Sequence, residues 1–438
     1  MRIIARAILC LMLISGVAVP NCFAQARSVS ETVSLAVGSH PQIKAKFSEY
    51  QAQNEQVKQV ESSFLPKLSL GVGIGLESSN NTSTRALVGG GSNDLSRRES
   101  SLSLNQMLFD GFKTHWQRES EQEAYDSIEF SLRHLASEIA MQSIESHLSV
   151  AASSQIFNFN IANLQTHQKI AENIGARVRS GKDDYAKINQ INARLSLSLA
   201  NVAAAKNEAM KADADYFRFV GSEAGAELAF QDKSFSLPES QMAFVEEVVR
   251  FNPMIVSQKK QVKSALASAK SMNNTNLPTL NLESGASWNE DLDGVEGRNS
   301  DLFVMLRMRY DLFNGGADKA AKAQARLLNQ GAEFKLDDVR RFVRRDAEHA
   351  WFAYQTSVKR VKYLEDYVEL SQLTSTAYGK QFTIGQRSLI DLLDAENELL
   401  RAKLQLVEAQ KDLYLSMYQI LSLSGKLLSS MSVNVSGL

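Results

Sequence analysis

The sequence contains a tandem duplication, and this feature constrains the fold more than any other. Two prolines recur in matching contexts at an offset of 212 residues, Pro41 with Pro253 and Pro66 with Pro278. A Leu-Phe-Asp-Gly sequence ending at Gly111 recurs as Leu-Phe-Asn-Gly ending at Gly315, at an offset of 204. The offset changes by 8 residues only once, which indicates a single indel in a loop. We therefore predict two repeats of one fold, at 25–221 and 239–424, joined by a linker at 222–238.

Residues 1–24 have the features of a secretory signal peptide. A short basic start precedes an apolar run from Ala7 to Val19, and small residues precede a cleavage point after Ala24. The run is shorter than the roughly 20 residues that span a bilayer, so an uncleaved anchor is the weaker interpretation. A lipoprotein acylated at Cys22 is also weaker, because Asn21 fits that cleavage signal poorly. The chain is therefore predicted to be exported.

Composition excludes several classes of protein. Lys and Arg total 48 and Asp and Glu total 49, so the net charge of −1 gives no electrostatic reason to expect nucleic acid as a partner. Two Cys and 6 His are too few for a disulfide scaffold or a Cys/His metal module. The glycines at 89–91 lack the Lys-Ser/Thr of a P-loop, and no His-Glu-x-x-His or Gly-x-Ser-x-Gly sequence occurs. We predict no cofactor, no metal and no enzymatic activity.

Each repeat contains stretches in which apolar and polar residues alternate, which is the pattern of strands with one apolar face. They predict β-hairpins at 67–109 and 279–313, with strands of about ten residues, the length of a tilted membrane-spanning strand. After residue 25 no apolar run is long enough for a membrane helix, so a membrane crossing must use these strands. A soluble four-stranded sheet is the alternative, although no obvious helix covers its apolar face.

Four strands are too few to close a membrane barrel, because the smallest barrels need about eight. The chain must therefore form an oligomer if it spans a membrane, and cyclic symmetry is the usual solution. Two copies would give eight strands with an interior filled by side chains. Three copies would give twelve strands and a pore.

The other segments of each repeat predict helical hairpins at 111–220 and 315–424. Their outgoing helices contain no Pro and few Gly except near their ends, and each stops at a glycine, Gly181 or Gly385. The returning helix from Leu389 carries two heptad stripes, typical of coiled-coil packing on two sides. We predict a mainly α protein with a small β part, built as a tandem-duplicated protomer with long coiled-coil helices and four transmembrane strands.

The duplication, the two Leu-Phe-Asp/Asn-Gly motifs and the sequence from Phe382 to Glu396 resemble the TolC family of outer-membrane channel-tunnels. The resemblance covers residues 28–428. It implies a homotrimer in the Gram-negative cell outer membrane, with a twelve-stranded β-barrel and a long periplasmic α-helical barrel. It also implies an equatorial belt, formed here by the linker at 222–238 and the tail at 425–438.

Within that family the chain looks most like the outer-membrane components of type I secretion systems. The resemblance implies a passive exit channel in outer-membrane lipid, which works with a periplasmic adaptor and an inner-membrane ABC exporter. A proton-driven (RND) drug-efflux pump is the alternative partner, because efflux channels share the same motifs. A periplasmic coiled-coil scaffold is the alternative from another class of protein.

The family closes its channel at the periplasmic tip with a ring of acidic residues, and the matching positions here are Asp391 and Asp394. These residues are three apart and so lie on one helix face. Three copies would bring six carboxylates together, and such a ring attracts cations. The alternative is a solvated acidic face near a helix N-terminus, where carboxylates are favourable in any protein.

The resemblance also implies a latch at this tip, made by an Arg just after the glycine, here Arg387. The Tyr that usually takes part is replaced by Phe382, and a first-repeat position that often carries an acidic residue is Lys187. We therefore expect a rewired latch in which Arg387 is joined to Asp183 or Asp184.

The two helical turns are the surfaces that adaptor proteins grip in the family, and here they carry Gly181 with Lys182 and Gly385 with Gln386. Glycine at these positions lets another backbone approach closely. A helix C-cap is the simpler explanation of each glycine, and the two explanations are compatible.

Overall fold

The structure is a computed structural model and describes residues 27–225, 228, 230 and 236–433. The predicted signal peptide at 1–24 lies outside the described residues, as do parts of the 222–238 linker and the last five residues of the tail. The fold is mainly helical with one small antiparallel sheet, as the sequence predicts.

The two halves present the same order of elements. The first half contains α1 (Val29–Ser39), α2 (Pro41–Glu61), β1 (Lys67–Ser79), α3 (Thr82–Val88), β2 (Asn93–Phe109), α4 (Lys113–Arg179) and α5 (Tyr185–Val220). The second half contains α6 (Gln241–Phe251), α7 (Pro253–Asn273), β3 (Thr279–Leu292), β4 (Val295–Arg309), α8 (Ala317–Thr383) and α9 (Leu389–Leu423), followed by α10 (Leu427–Ser430). The short helix α3 has no counterpart in the second half and occupies the longer loop, where the indel is expected.

Both halves contribute to one four-stranded sheet in the order β1-β2-β3-β4. The pairing of β2 with β3 joins the two repeats, and within the protomer β1 and β4 are the edges. The strands contain 13 to 17 residues, so the expected length of about ten residues was wrong. They are longer because each hairpin continues beyond its apolar rows into polar residues near the loops, such as Asp94 and Arg298.

Helices α4 and α8 contain 67 residues each, which corresponds to roughly 100 Å at 1.5 Å per residue. Helix α5 packs along the half of α4 near the turn, and α2 packs along its other half. In the second half, α9 and α7 divide the length of α8 in the same way. No helix in the described part of the chain has an apolar stretch long enough to cross a membrane.

Serines form a seam between the antiparallel helices α4 and α7. The Oγ atoms of Ser127 and Ser257 are 3.0 Å apart, and those of Ser120 and Ser264 are 3.1 Å apart. One heptad further along, the Ser271 hydroxyl donates to the carbonyl oxygen of Lys113 at 3.1 Å. Small side chains at this spacing let the two backbones pack closely and join the first repeat to the second.

Candidate functional site at the paired helix tips

The two helical hairpins end in turns of the same geometry. Gly181 and Gly385 have φ angles of 71° and 79°, in the left-handed region that favours glycine. The amides of Lys182 and Gln386 each donate to a carbonyl five residues earlier, at 2.9 Å in both turns. These four residues were predicted to contact an adaptor. All four are exposed, and a Cβ added at either glycine would meet no atom within 4 Å.

An apolar cluster holds the two tips against each other. It contains Ile174 and Ile191 from the first hairpin and Phe382, Leu389, Leu392 and Leu393 from the second. The guanidinium of Arg177 lies 5.6 Å from the centroid of the Phe382 ring and adds a cation–π contact. Phe382 is therefore buried in the join between the hairpins, although it lacks the hydroxyl of a Tyr.

Asp183 and Asp184 are engaged within the first hairpin. The Asp183 carboxylate accepts from Lys187 Nζ at 2.5 Å and from Arg177 Nε at 2.6 Å, and its side chain is only 5% exposed. The hydrogen bond from Lys187 lowers the pKa of Asp183, and Arg177 lowers it further. Asp184 caps α5 by accepting from the amides of Ala186 at 2.8 Å and Lys187 at 3.3 Å.

Arg387 is engaged within the second hairpin. Its Nε donates to Gln381 Oε1 at 2.9 Å, and its guanidinium lies 4.1 Å from the centroid of the Tyr378 ring. Among the described residues of one protomer, Arg387 makes no hydrogen bond or ion pair with Asp183 or Asp184. The predicted link between them is therefore not formed inside a protomer, and it stays a prediction for contacts between protomers.

The two predicted gate carboxylates lie in the first two turns of α9, and each has a partner. Asp391 forms a capping box with Ser388: its amide donates to the Ser388 hydroxyl at 3.2 Å, and its carboxylate accepts from the Ser388 amide at 3.3 Å. Arg387 Nη1 lies 4.0 Å from the same carboxylate. Asp394 Oδ1 accepts from Arg194 Nη2 of α5 at 2.8 Å.

The partners of these carboxylates change the expected charge of the tip. Three copies would bring six carboxylates together, but also the arginines that pair with them. Sequence reasoning missed Arg194, because it lies 200 residues from Asp394 and only the packing of α5 on α9 joins them. The duplication did offer one signal. Helices α5 and α9 begin just after equivalent glycine turns, so Arg194 and Asp394 both lie within the first three helical turns from the tip.

A buried polar layer crosses the hairpins further from the tips. His167 Nδ1 lies 3.0 Å from the Ser198 hydroxyl, and that hydroxyl also donates to Asn163 at 3.3 Å. Ser375 donates to Glu396 Oε1 at 2.5 Å. His167 is fully buried and its Nε2 has no hydrogen-bond partner. Burial lowers the pKa of His167, an effect that the Glu396 carboxylate partly offsets.

Comparison with known proteins assigns this architecture to a family. The sequence model of the family described as outer membrane efflux protein matches residues 32–221 and 245–426, one match for each repeat. BepC, an outer membrane efflux protein of Brucella suis, is 23% identical over 419 residues, which cover 95% of this chain and 89% of BepC. AprF, an alkaline protease secretion protein of Pseudomonas aeruginosa, is 24% identical over 389 residues, which cover 86% of this chain and 80% of AprF.

The solved structures of outer-membrane channels share the fold. The CmeC channel of Campylobacter jejuni superposes with a TM-score of 0.79 at 15% identity, covering 94% of this chain and 90% of CmeC. The open state of the MtrE channel of Neisseria gonorrhoeae gives a TM-score of 0.77, covering 91% of this chain and 89% of MtrE. The chain therefore belongs to the outer membrane efflux protein family, as a transport protein of the outer membrane that extends into the periplasm.

Proposed function

We propose that three copies of this chain form the exit duct of a type I protein secretion machine. One observation supports the proposal most strongly: the protomer has the long helices of a channel, but its sheet is too small to close into a barrel. Its sheet has four strands with an apolar outward face and two edges, and its helical hairpins extend for roughly 100 Å away from that sheet. A sheet edge with unpaired backbone groups is unfavourable in lipid, so the edges require strands from other copies.

The inner face of the sheet supports three copies rather than two. It carries the Arg307–Glu283 ion pair, at 2.8 Å, and three glycines along β1 at 71, 73 and 75. A barrel of eight strands fills its interior with side chains, whereas twelve strands leave room for water around such charges. The proposed assembly is therefore a homotrimer with a twelve-stranded barrel.

The chain carries no nucleotide-binding motif, so we assign the energy source to an inner-membrane pump. An adaptor would join that pump to the exposed tips at Gly181, Lys182, Gly385 and Gln386. Asp391 and Asp394 are the proposed gate, and Arg387 is the proposed latch. Of its two predicted partners, Asp184 is the exposed one and is proposed to meet Arg387 of a neighbouring protomer, because Asp183 is already paired inside its own hairpin.

The assignment to type I secretion rests on the similarity to AprF, which is named for secretion of an alkaline protease. The alternative is a proton-driven small-molecule pump, and the similarity to BepC, named as an efflux protein, favours it. The scaffold alternative is not retained, because family membership and an outward apolar sheet face both indicate a membrane channel.

In vivo photo-crosslinking tests the proposal. A photoreactive residue is placed at Lys182 or Gln386, living cells are irradiated, and the captured proteins are identified by mass spectrometry. We expect an adaptor that co-purifies with an ABC exporter. Capture with a proton-driven transporter would contradict type I secretion and support the alternative. Ser83, exposed on α3 at the opposite end of the molecule, is the matched control and should capture neither protein.

A further inference from the structure

The outward face of the sheet is organised in rows that cross all four strands. Strand register places Leu70, Leu102, Ala286 and Leu302 in one row. The next row toward the hairpin loops contains Val72, Ser100, Trp288 and Ser300, and the one after it contains Ile74, Arg98, Glu290 and Arg298. From the row of Leu280 and Met308 up to the row of Trp288, no outward residue is charged. The row of Arg98 and Arg298 is therefore the first charged row on this face.

The two arginines flank one carboxylate in this row. Arg98 Nη1 lies 3.2 Å from Glu290 Oε2, and Arg298 Nε lies 3.4 Å from Glu290 Oε1. The side chains of Arg98 and Arg298 are 62% and 86% exposed. Each guanidinium has five N–H donors, so most donors of both residues face outward without a partner in the row. The row carries one net positive charge per protomer.

The inner face at the same level has the opposite balance of charge. Arg97, the residue before Arg98, points inward and is paired with both Glu77 and Glu99. Arg97 Nη1 lies 2.9 Å from Glu77 Oε2. One arginine with two carboxylates thus faces the interior, whereas two arginines with one carboxylate face outward. The outward excess of positive charge is not a general property of this end of the sheet.

The uncharged outward rows that begin at Leu280 and end before Glu290 are about as tall as the apolar band of an outer-membrane barrel. Glu290 lies ten residues beyond Leu280 on β3, which is roughly 34 Å along the strand, or about 26 Å along the membrane normal at a tilt of 40°. The apolar band of an outer-membrane barrel is about 25 Å tall. Trp288, exposed one row before the arginines, occupies the position of an interfacial aromatic residue. The guanidiniums therefore lie at the level of the lipid headgroups.

We propose that Arg98 and Arg298 bind the phosphate groups of an anionic glycolipid in the outer leaflet. The hairpin loops lie at the end of the sheet away from the long helices, so this end faces the outer leaflet of the membrane. Guanidinium groups bind phosphate through paired N–H donors, and Glu290 holds the two groups on either side of it. Further toward the loops Asp94 and Glu296 are acidic, so on the strands the outward excess of positive charge is confined to this one row. The proposal rests on the outer-membrane location and is independent of the pump partner.

Native mass spectrometry of the full-length protein, purified in mild detergent and incubated with bisphosphorylated lipid A, tests the proposal. The number of retained lipids is compared with that for dephosphorylated lipid A. We expect the wild-type protein to retain only the phosphorylated form. In the Arg98→Gln, Arg298→Gln double variant, affinity should fall roughly 30-fold, since each basic residue near an anionic surface contributes about a factor of five.

Arg97→Gln is the matched control, because it removes the neighbouring charge on the inner face of the same strand. It should retain lipid like the wild type. Equal retention by the double variant and the wild type, or an equal loss in Arg97→Gln, would overturn the proposal. Arg298→Gln alone is a second variant; its ion pair with Glu290 is highly exposed and contributes little to stability, and the variant should lose affinity in part.

Discussion

The ion pair between Arg194 and Asp394 places a positive charge beside one of the two proposed gate carboxylates. Replacing Arg194 with Ala leaves the Asp394 carboxylate unpaired, so we expect a trivalent cation to block the reconstituted channel at lower concentration. Asp394→Asn should raise the blocking concentration instead. Both side chains are partly exposed, so the pair contributes only about 0–1 kcal/mol and the stability of the protein should change little. Single-channel recording in planar bilayers measures the block.

The Arg360–Asp412 pair is the control for this prediction. It joins α8 and α9 at 3.0 Å with similar exposure, but it lies further from the tip. Arg360→Ala should leave the block unchanged. If Arg194→Ala and Arg360→Ala altered it equally, the effect would reflect overall charge rather than a gate at Asp394.

We expect His167 to make the stability of the hairpins depend on pH. Its folded-state pKa is lowered by burial below the ordinary value of 6.5, and Arg194 lowers it further while Glu396 opposes the shift. The unfolded state therefore takes up a proton first as the pH falls. Stability should be complete above about pH 6.5 and should decrease as the pH falls below that value. The thermal midpoint of the purified protein, measured across this range, checks the direction.

His167→Gln removes the titrating group and should flatten this dependence. The exposed His349 on α8 provides the comparison, since His349→Gln should leave the slope of the wild type. A slope in His167→Gln that equals the wild-type slope would assign the pH dependence to other groups.

Among the elements, the long helices and the sheet strands are predictable from sequence because their signals are local. The length of α8 follows from a segment without Pro and from the capping glycine at its end. The alternation of apolar and polar residues in Leu68–Leu76 identifies β1. The pairing of β2 with β3 and the contact of Arg194 with Asp394 are not local. They depend on which faces of distant elements meet, and a repeat seen in sequence does not specify how its two copies pack.

The serine seam between α4 and α7 predicts a site that does not tolerate large side chains. Ser264→Leu would force two extra heavy atoms between closely packed backbones, and overpacking of this kind costs about 1–3 kcal/mol. Ser264→Ala removes one hydrogen bond and should cost about 0.5–1.5 kcal/mol. Urea unfolding of the purified protein measures both changes.

Ser48 on α2 is the matched position for the seam, because it is an exposed helical serine that bonds only to its own helix. Ser48→Leu should change the free energy of unfolding by less than about 0.5 kcal/mol. Leu is a better helix former than Ser, so helix propensity alone predicts no loss at either position. Equal losses at Ser48 and Ser264 would therefore mean that close packing across the seam is not the cause.

At the scale of the whole molecule, the duplication makes a protomer with long helices but with only four strands, which are too few to close a membrane barrel. Each repeat provides one β-hairpin for the sheet and one long helical hairpin, and the α4–α7 seam and the β2–β3 pairing join the repeats. In the proposed homotrimer, three such protomers would provide six similar units around one axis. The apolar residues on the outward face of the sheet are exposed in one protomer, and the membrane covers them in the assembled protein.

Two adjacent residues of β2 test this division between the outward and inward faces. Leu102 lies on the outward face near the middle of the apolar rows, and Ser103 lies on the inward face. Leu102→Lys places a charge in lipid, which costs about 2–4 kcal/mol per copy near the midplane, so we expect loss of heat-modifiable trimers from the outer-membrane fraction. Ser103→Lys adds the same charge to a watery interior and should assemble normally. If both variants assembled equally well, the outward face would not contact lipid.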